Sequence, residues 1–146
     1  MRGLSAAVLV TVMALVATGA GTARPAHAQC AQWNISGTWV TSQGNNYHVT
    51  FRFSQNKTVI GGVSSLSRKE QAAATYTTPT SKIVGTLKGS HLVVKIRYTK
   101  TSGVTLTGLY IGTITHGSLK GTGRDITTPG ATAVAWSGKG PTRCVR

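Results

Sequence analysis

Apolar and polar side chains alternate with a period of two along most of this chain, and short clusters rich in Gly, Asn and Ser interrupt the alternation. In the clearest segment, Tyr47, Val49, Phe51 and Phe53 fall on one face, and the polar residues between them fall on the other. Successive side chains of a β-strand point to opposite sides, whereas a helix repeats about every 3.6 residues. The pattern therefore predicts half-buried strands and an all-β fold.

The alternating segments and the turns between them predict the topology. We predict eight strands, over about residues 35–40, 47–54, 58–65, 82–88, 92–99, 104–115, 118–126 and 131–138. Every connection is short apart from residues 67–81, and short connections join antiparallel neighbours. This favours an eight-stranded antiparallel up-and-down β-barrel, in which closure removes both sheet edges; a two-sheet β-sandwich is the alternative. We expect residues 67–81 to contain a turn of helix and to cover one barrel mouth as a lid.

The N-terminal segment has the features of a secretory signal peptide. Arg2 supplies a positive charge, residues 6–16 are nearly all apolar, and Ala26-His27-Ala28 forms a small-x-small cleavage pattern. The apolar run is shorter than the roughly 20 residues that a spanning helix needs. We therefore predict a signal peptide over residues 1–28 and a single secreted β-barrel domain over residues 29–146, with no membrane span after processing.

The chain has two cysteines, Cys30 and Cys144, near the two ends of the predicted domain. Secreted proteins fold in an oxidising compartment, where paired cysteines form disulfides. We predict one disulfide between Cys30 and Cys144 that ties the first and last strands together, which fits a closed barrel.

The charge balance is strongly basic. The sequence has 16 lysines and arginines and two acids; Arg2 and Arg24 lie in the predicted signal peptide, so the predicted domain has 14 basic residues and a net charge of +12. Such a charge favours anionic partners and solubility, and it does not determine a fold.

Several basic residues form a candidate site for an anionic polymer. Arg52, Lys95 and Arg97 lie on the polar faces of predicted strands. Lys100 comes directly after the predicted strand that carries Lys95 and Arg97. If these strands are neighbours, the side chains form a cationic stripe that could bind nucleic acid, cell-wall polymer or glycan through counterion release.

Part of the sequence resembles a known family. Residues 35–39 (Ile-Ser-Gly-Thr-Trp), followed by Gly44 and residues 47–50, resemble the opening of avidin and streptavidin, and residues 106–110 are a looser match to a later strand. The resemblance implies a secreted eight-stranded barrel with a ligand in its mouth, and a Gly-x-Trp near the start is also similar to lipocalins and other calycin-like barrels. At the positions of the family's two biotin-binding polar residues, this chain has Thr41 and Asn45, so the resemblance implies the architecture rather than biotin as ligand.

The sequence contains no established catalytic or metal-binding motif. Glu70 and Asp125 are its only acids, which leaves a single possible carboxylate pair for acid–base catalysis. The histidines are scattered, and no His-x-x-x-His or Cys-x-x-Cys spacing is present. We therefore predict no enzymatic activity, no metal site and no cofactor.

The inward face of the predicted barrel suggests a ligand site. Tyrosine and tryptophan combine a large apolar surface with a polar tip, as ligand pockets often require. We predict a secreted, non-enzymatic binding protein that holds a small molecule in the barrel mouth; an anionic polymer or a protein partner is the alternative. The sequence indicates neither the ligand nor the oligomeric state. The candidate ligand-binding residues are Trp39, Thr41, Asn45, Tyr47, Tyr98, Tyr110 and Trp136.

Overall fold

The fold is seen in a computed structural model that describes residues 30–145, so the predicted signal peptide lies outside the described residues. These residues form ten strands and one short helix. They are β1 (Gln32–Asn34), β2 (Gly37–Gln43), β3 (His48–Asn56), β4 (Val59–Leu66), α1 (Arg68–Ala74), β5 (Thr80–Lys88), β6 (His91–Thr99), β7 (Thr105–Thr115), β8 (Ser118–Asp125), β9 (Val134–Lys139) and β10 (Arg143–Val145).

Strands β2 to β9 form a closed antiparallel barrel in which each strand pairs with the next in sequence. The barrel closes where β9 pairs with β2, with Thr41 opposite Gly138 and Gln43 opposite Trp136. The prediction of an eight-stranded up-and-down barrel is therefore confirmed, and the β-sandwich alternative is wrong.

The barrel interior is filled mainly by large side chains from alternate positions of every strand. Phe51 lies at the centre, with the rings of Phe53, Tyr110 and Trp136 between 5.5 and 5.9 Å from it. Glycines face the largest rings: a Cβ atom at Gly123 would lie 2.7 Å from the ring of Tyr110. Alternating small and large residues lets the aromatic rings lie against the barrel wall.

A small second sheet covers one end of the barrel. Strands β1 and β10 pair there, and the predicted disulfide is present between Cys30 and Cys144, whose Cα atoms are 5.5 Å apart. The side chain of Gln32 fastens this sheet to the β5–β6 turn, because its Oε1 accepts a hydrogen bond from the Gly89 N–H at 2.8 Å. The nearby Ile35 is fully buried. We call this the closed end.

The role predicted for the disulfide needs correction. The first and last barrel strands pair directly with each other, and the disulfide joins the segments around β1 and β10 outside the barrel. Each of these two strands has three residues, which is too short for a period of two to be recognised in the sequence.

Several strand boundaries also differ from the predictions. β2 spans Gly37–Gln43 rather than about residues 35–40, because its pairing with β3 begins at Gly37 and its pairing with β9 extends to Gln43. β5 begins at Thr80 rather than at residue 82, because Thr80 and Ser81 pair with Ser65 and Ser64 in a stretch without apolar alternation. β9 begins at Val134 rather than at residue 131. The Ala131 N–H closes a turn by donating to the Thr128 carbonyl, and the pairing of β9 with β8 extends only to Val134. Among the described residues, no helix has the length and apolar character needed to cross a membrane.

Candidate functional site

The barrel has a cavity of about 340 Å³ at the end opposite the closed end. Its walls come from the ends of β2, β4 and β6, the start of β3, the first half of β7, the β2–β3 turn, and the C-terminal part of α1 with the residues after it. Its lining residues are Gln43, Asn45, Tyr47, Val49, Leu66, Ala73, Ala74, Thr75, Tyr76, Tyr98, Lys100, Leu106 and Tyr110. We call this the open end.

All four tyrosines of the sequence line this one cavity. Tyr76 and Tyr98 stack with ring centroids 4.9 Å apart and an interplanar angle of 17°. Tyr110 meets the buried Trp136 edge to face at 5.5 Å, so the packed core holds its ring in place. The cavity thus has aromatic walls, and at least two of these rings are fixed by neighbouring rings.

The path of the chain after α1 explains how Tyr76 reaches the cavity. The helix ends at Thr75, which adopts the left-handed conformation with φ of 58° and turns the chain back toward the barrel. The Thr77 N–H then donates to the Thr99 carbonyl at 2.8 Å, and Tyr76 forms an isolated bridge with Lys100. These backbone contacts place the ring of Tyr76 against that of Tyr98.

Two of the four tyrosine hydroxyls, those of Tyr98 and Tyr110, have different surroundings. The Tyr110 hydroxyl accepts a hydrogen bond from Gln43 Nε2 at 3.2 Å, which leaves its own proton available. Tyr98 is only 7% exposed, and its buried hydroxyl has no hydrogen-bond partner among the described residues. The Tyr110 and Ser64 hydroxyls are close enough to influence it, yet neither is placed for a well-formed hydrogen bond.

Burial makes the Tyr98 hydroxyl less acidic. Desolvation, followed by the nearby Tyr110 hydroxyl, raises the pKa of Tyr98 well above its ordinary value. Like an ordinary tyrosine, Tyr98 is a neutral phenol at physiological pH, and its hydroxyl keeps a proton that it can donate.

Helix α1 covers part of the open end. A capping box begins the helix: the Ser67 hydroxyl accepts from the Glu70 N–H, and the Glu70 carboxylate accepts from the Ser67 N–H. The same carboxylate accepts from the His48 N–H at 2.6 Å and lies 3.3 Å from His48 Nδ1. Glu70 therefore anchors α1 to β3, and the expected helical turn and cover over residues 67–81 are present, with Ala73 and Ala74 at the cavity.

The anchoring contacts change the acidity of Glu70. Desolvation alone would raise the pKa of Glu70, but hydrogen bonds from His48 and Ser67 outweigh it. The pKa of Glu70 therefore lies below its ordinary value of 4.5, and the carboxylate is ionised over the whole neutral range.

A second cleft of about 220 Å³ shares the Tyr76, Tyr98 and Tyr110 walls and extends toward the β8–β9 loop, where Arg124 and Asp125 border it. In this loop the Asp125 carboxylate is paired with two threonines. It accepts hydrogen bonds from the Thr127 N–H at 2.8 Å and from the Thr128 hydroxyl. Desolvation opposes these bonds, yet they dominate and lower the pKa of Asp125.

The structure brings four of the seven predicted ligand residues together: Asn45, Tyr47, Tyr98 and Tyr110 all line the cavity. The other three lie elsewhere and are corrected here. Trp39 and Thr41 are at most 1% exposed and form internal hydrogen bonds, from Trp39 Nε1 to the Ile35 carbonyl and from the Thr41 hydroxyl to the Val49 carbonyl. Trp136 packs beneath Tyr110 and donates to the Ile111 carbonyl at 3.4 Å. These three side chains belong to the packed core.

Sequence reasoning missed several lining residues. Gln43 ends β2, and its polar side chain does not follow the apolar alternation. Tyr76 lies in the irregular segment after α1, where no periodicity assigns it to an inward face. Lys100 was predicted to belong to a cationic stripe, and it lines the cavity instead. Only Lys100 carries a formal charge among the residues of this cavity, and no carboxylate lines it.

The outer face of the barrel carries a separate group of cations. Arg52 and Lys82 both lie opposite Val63, on either side of β4. Lys95 and Arg124 both lie opposite Leu109, on either side of β7. Arg97 lies two residues after Lys95 on the same outer face of β6. The predicted stripe needs correction, because β4 and β5 separate β3, which carries Arg52, from β6. The exposed cations instead form a broad band around the outside of the barrel, which we call the basic face: Arg52, Lys82, Lys95, Arg97 and Arg124.

The described residues, 30–145, contain no group of three or more His, Cys, Asp or Glu side chains arranged to hold a metal ion. The two carboxylates are both engaged in hydrogen bonds that cap local structure, Glu70 at α1 and Asp125 in the β8–β9 loop.

The geometry defines the class of protein: a small, disulfide-linked, eight-stranded antiparallel β-barrel that is covered at one end and has an aromatic cavity at the other. Comparisons with models of known families, with curated proteins and with solved structures found no match.

Proposed function

We propose that this chain is a secreted, non-enzymatic binding protein that holds a small ligand at the open end of the barrel. One observation carries the proposal: all four tyrosines converge on a single cavity at that end. The cavity volume of about 340 Å³ falls at the small end of the range for ligand pockets, about 300–1,000 Å³. Aromatic walls with a few convergent polar groups are typical of such sites.

The unpartnered hydroxyl of Tyr98 supports the same function. A buried hydroxyl without a hydrogen bond costs about 1–3 kcal/mol of stability, so packed cores rarely keep one. A ligand acceptor in the cavity would satisfy this group. The resemblance of residues 35–50 to avidin-like barrels also implies a ligand at the mouth, although the side chains that form the walls differ.

The non-enzymatic part of the proposal is supported by the roles of the two acids. Glu70 anchors α1 to β3, and Asp125 holds the β8–β9 loop through Thr127 and Thr128. Both carboxylates have a lowered pKa, the opposite of what a general acid needs at neutral pH.

The secreted location is supported by the leader pattern of residues 1–28 and by the disulfide between Cys30 and Cys144. Disulfides persist in oxidising compartments and are rare in the cytosol. Mass measurement of the N-terminus of protein recovered from a culture medium tests this directly, and a chain that retains Met1 would contradict it.

Native mass spectrometry of the secreted protein tests the cavity function. We expect a stoichiometric adduct that is lost on denaturation. In Ala74→Trp, the new indole would occupy the cavity and the adduct should disappear. Ala72→Trp is the matched control, because Ala72 is exposed on the same helix and does not line the cavity. A ligand-free wild-type ion, even after incubation with extract of the culture medium, would refute the proposal.

The basic face supports a second candidate function, the binding of an anionic polymer. Five exposed cations on strands from β3 to β8 would release condensed counterions from a polyanion. We expect retention on heparin that falls steeply with salt and that is reduced in Lys95→Ser/Arg97→Ser. Lys57→Ser, in the β3–β4 turn, removes a charge outside the basic face and serves as control. Equal retention of both variants would rule out this face as the binding surface.

A further inference from the structure

We infer that the cavity at the open end selects a small organic carboxylate with an apolar body, whose negative charge pairs with Lys100 and whose oxygen accepts a hydrogen bond from Tyr98. This inference rests on the proposed function and specifies the chemical class of the ligand.

The available hydrogen-bond donors indicate the polar part of the ligand. Tyr98 has a buried donor without a partner, and the Tyr110 hydroxyl already accepts from Gln43, so its remaining proton is also a donor. A ligand that reaches these hydroxyls must therefore bring an acceptor. A carboxylate is a strong acceptor with two oxygens, and hydrogen bonds to a charged group are stronger than neutral ones.

The charged residues around the cavity indicate that the ligand is negatively charged. Lys100 lines the cavity and has no salt bridge within the described part of the chain, and its flexible four-carbon stem lets the ammonium group follow a bound anion. The nearest carboxylates are occupied: Asp125 faces the adjoining cleft and is held by Thr127 and Thr128, and Glu70 is bound to His48. The strongly basic chain adds a positive field that favours anions in a cleft.

The remaining walls indicate the body of the ligand. Val49, Leu66 and Leu106 contribute aliphatic surface, and the stacked rings of Tyr76 and Tyr98 contribute aromatic surface. A fully polar anion such as phosphate would leave this surface in contact with water. An apolar body covers it and adds the hydrophobic contribution to binding.

Two matched pairs of probes test the inference, each measured by isothermal titration calorimetry on the full mature protein. The flat pair is 2-naphthoate and 2-naphthalenemethanol, and the linear pair is octanoate and 1-octanol. We expect at least one acid to bind about 10-fold more tightly than its alcohol. A hydrogen bond to a charged group is stronger than a neutral one by roughly the free energy that corresponds to a tenfold change in Kd. The cation 2-naphthylmethylammonium should not bind.

Two variants test the separate contributions of Lys100 and Tyr98 to binding. In Lys100→Gln, the preferred acid should fall to the affinity of its alcohol, while the affinity for the alcohol stays unchanged. In Tyr98→Phe, acid and alcohol should both weaken, the acid by about 10-fold. Lys69→Gln removes an exposed charge from the same end of the protein, outside the cavity lining, and should change neither affinity.

The outcomes separate this inference from the proposed function. Equal affinities for an acid and its alcohol, binding of the ammonium probe, or an equal effect of Lys100→Gln on acid and alcohol would overturn the carboxylate assignment. If no probe binds while the cavity-dependent adduct persists in native mass spectrometry, the carboxylate inference fails and the ligand-binding function stands. If both are absent, both fail.

Discussion

Replacing Tyr98 by Phe should make the protein more stable. The substitution removes one oxygen atom that is buried and lacks a hydrogen-bond partner among the described residues, and it keeps the ring that stacks on Tyr76. An unsatisfied buried hydroxyl costs about 1–3 kcal/mol, and the lost packing of one atom offsets part of the gain. We therefore expect the free energy of unfolding to rise by about 1 kcal/mol and Tm to rise by about 3–6 °C.

Urea unfolding, followed by tryptophan fluorescence at pH 7, measures this change in ligand-free protein. The matched control is Tyr110→Phe, which removes a hydroxyl that accepts a hydrogen bond from Gln43. That variant should be neutral or less stable, by up to about 1 kcal/mol, because the amide loses its partner. A Tyr98→Phe variant that unfolds at a lower urea concentration than wild type would refute the reasoning, since it would show that the Tyr98 hydroxyl already has a stabilising partner in the free protein.

Three further predictions concern stability. Reducing the disulfide, which joins residues 114 positions apart, should lower the free energy of unfolding by about 4–5 kcal/mol, and an unchanged urea midpoint in reducing agent would contradict this. Glu70 and Asp125 have a lowered pKa when folded, so their contribution is present above their ordinary pKa values and is lost as the pH falls through the folded values. Tm should therefore fall from about pH 5 towards pH 3, with a smaller fall in Glu70→Gln; an equal fall would exclude Glu70 as a contributor. Gly123→Ala should cost about 1–3 kcal/mol, because its Cβ would lie 2.7 Å from the Tyr110 ring, and a wild-type Tm would show that the ring moves freely.

The fold could be predicted because a barrel strand leaves a strong signal in the sequence. Each strand buries one face, so the period of two recurs from β2 to β9, and the short turns force antiparallel neighbours. Strands β1 and β10 left no such signal, since they lie across the end of the barrel and have three residues each. Their position is determined by the disulfide and by the side chain of Gln32.

The candidate site was only partly predictable, for a geometric reason. Alternation shows which face a residue occupies, but it does not show how far along the barrel axis the residue lies. Trp39 and Tyr98 both point inward, yet Trp39 is buried in the packed core and Tyr98 lines the cavity.

Tyr76 and Lys100 could not be assigned to the cavity from the sequence for a different reason. Both reach the cavity through an isolated bridge at the edge of the barrel, a contact between segments that are distant in sequence and carry no periodic pattern. Only the folded chain reveals such residues.

The covered end of the barrel has a practical consequence for handling the molecule. Because the paired segments around Cys30 and Cys144 bring both extremities of the domain to the same pole, a tag or surface tether attached at either extremity would leave the opposite pole facing the solution. A sensor chip coated in this way would present every cavity in the same orientation. The same arrangement suits a display scaffold, in which the turns around the cavity are diversified while the anchored pole keeps the barrel folded.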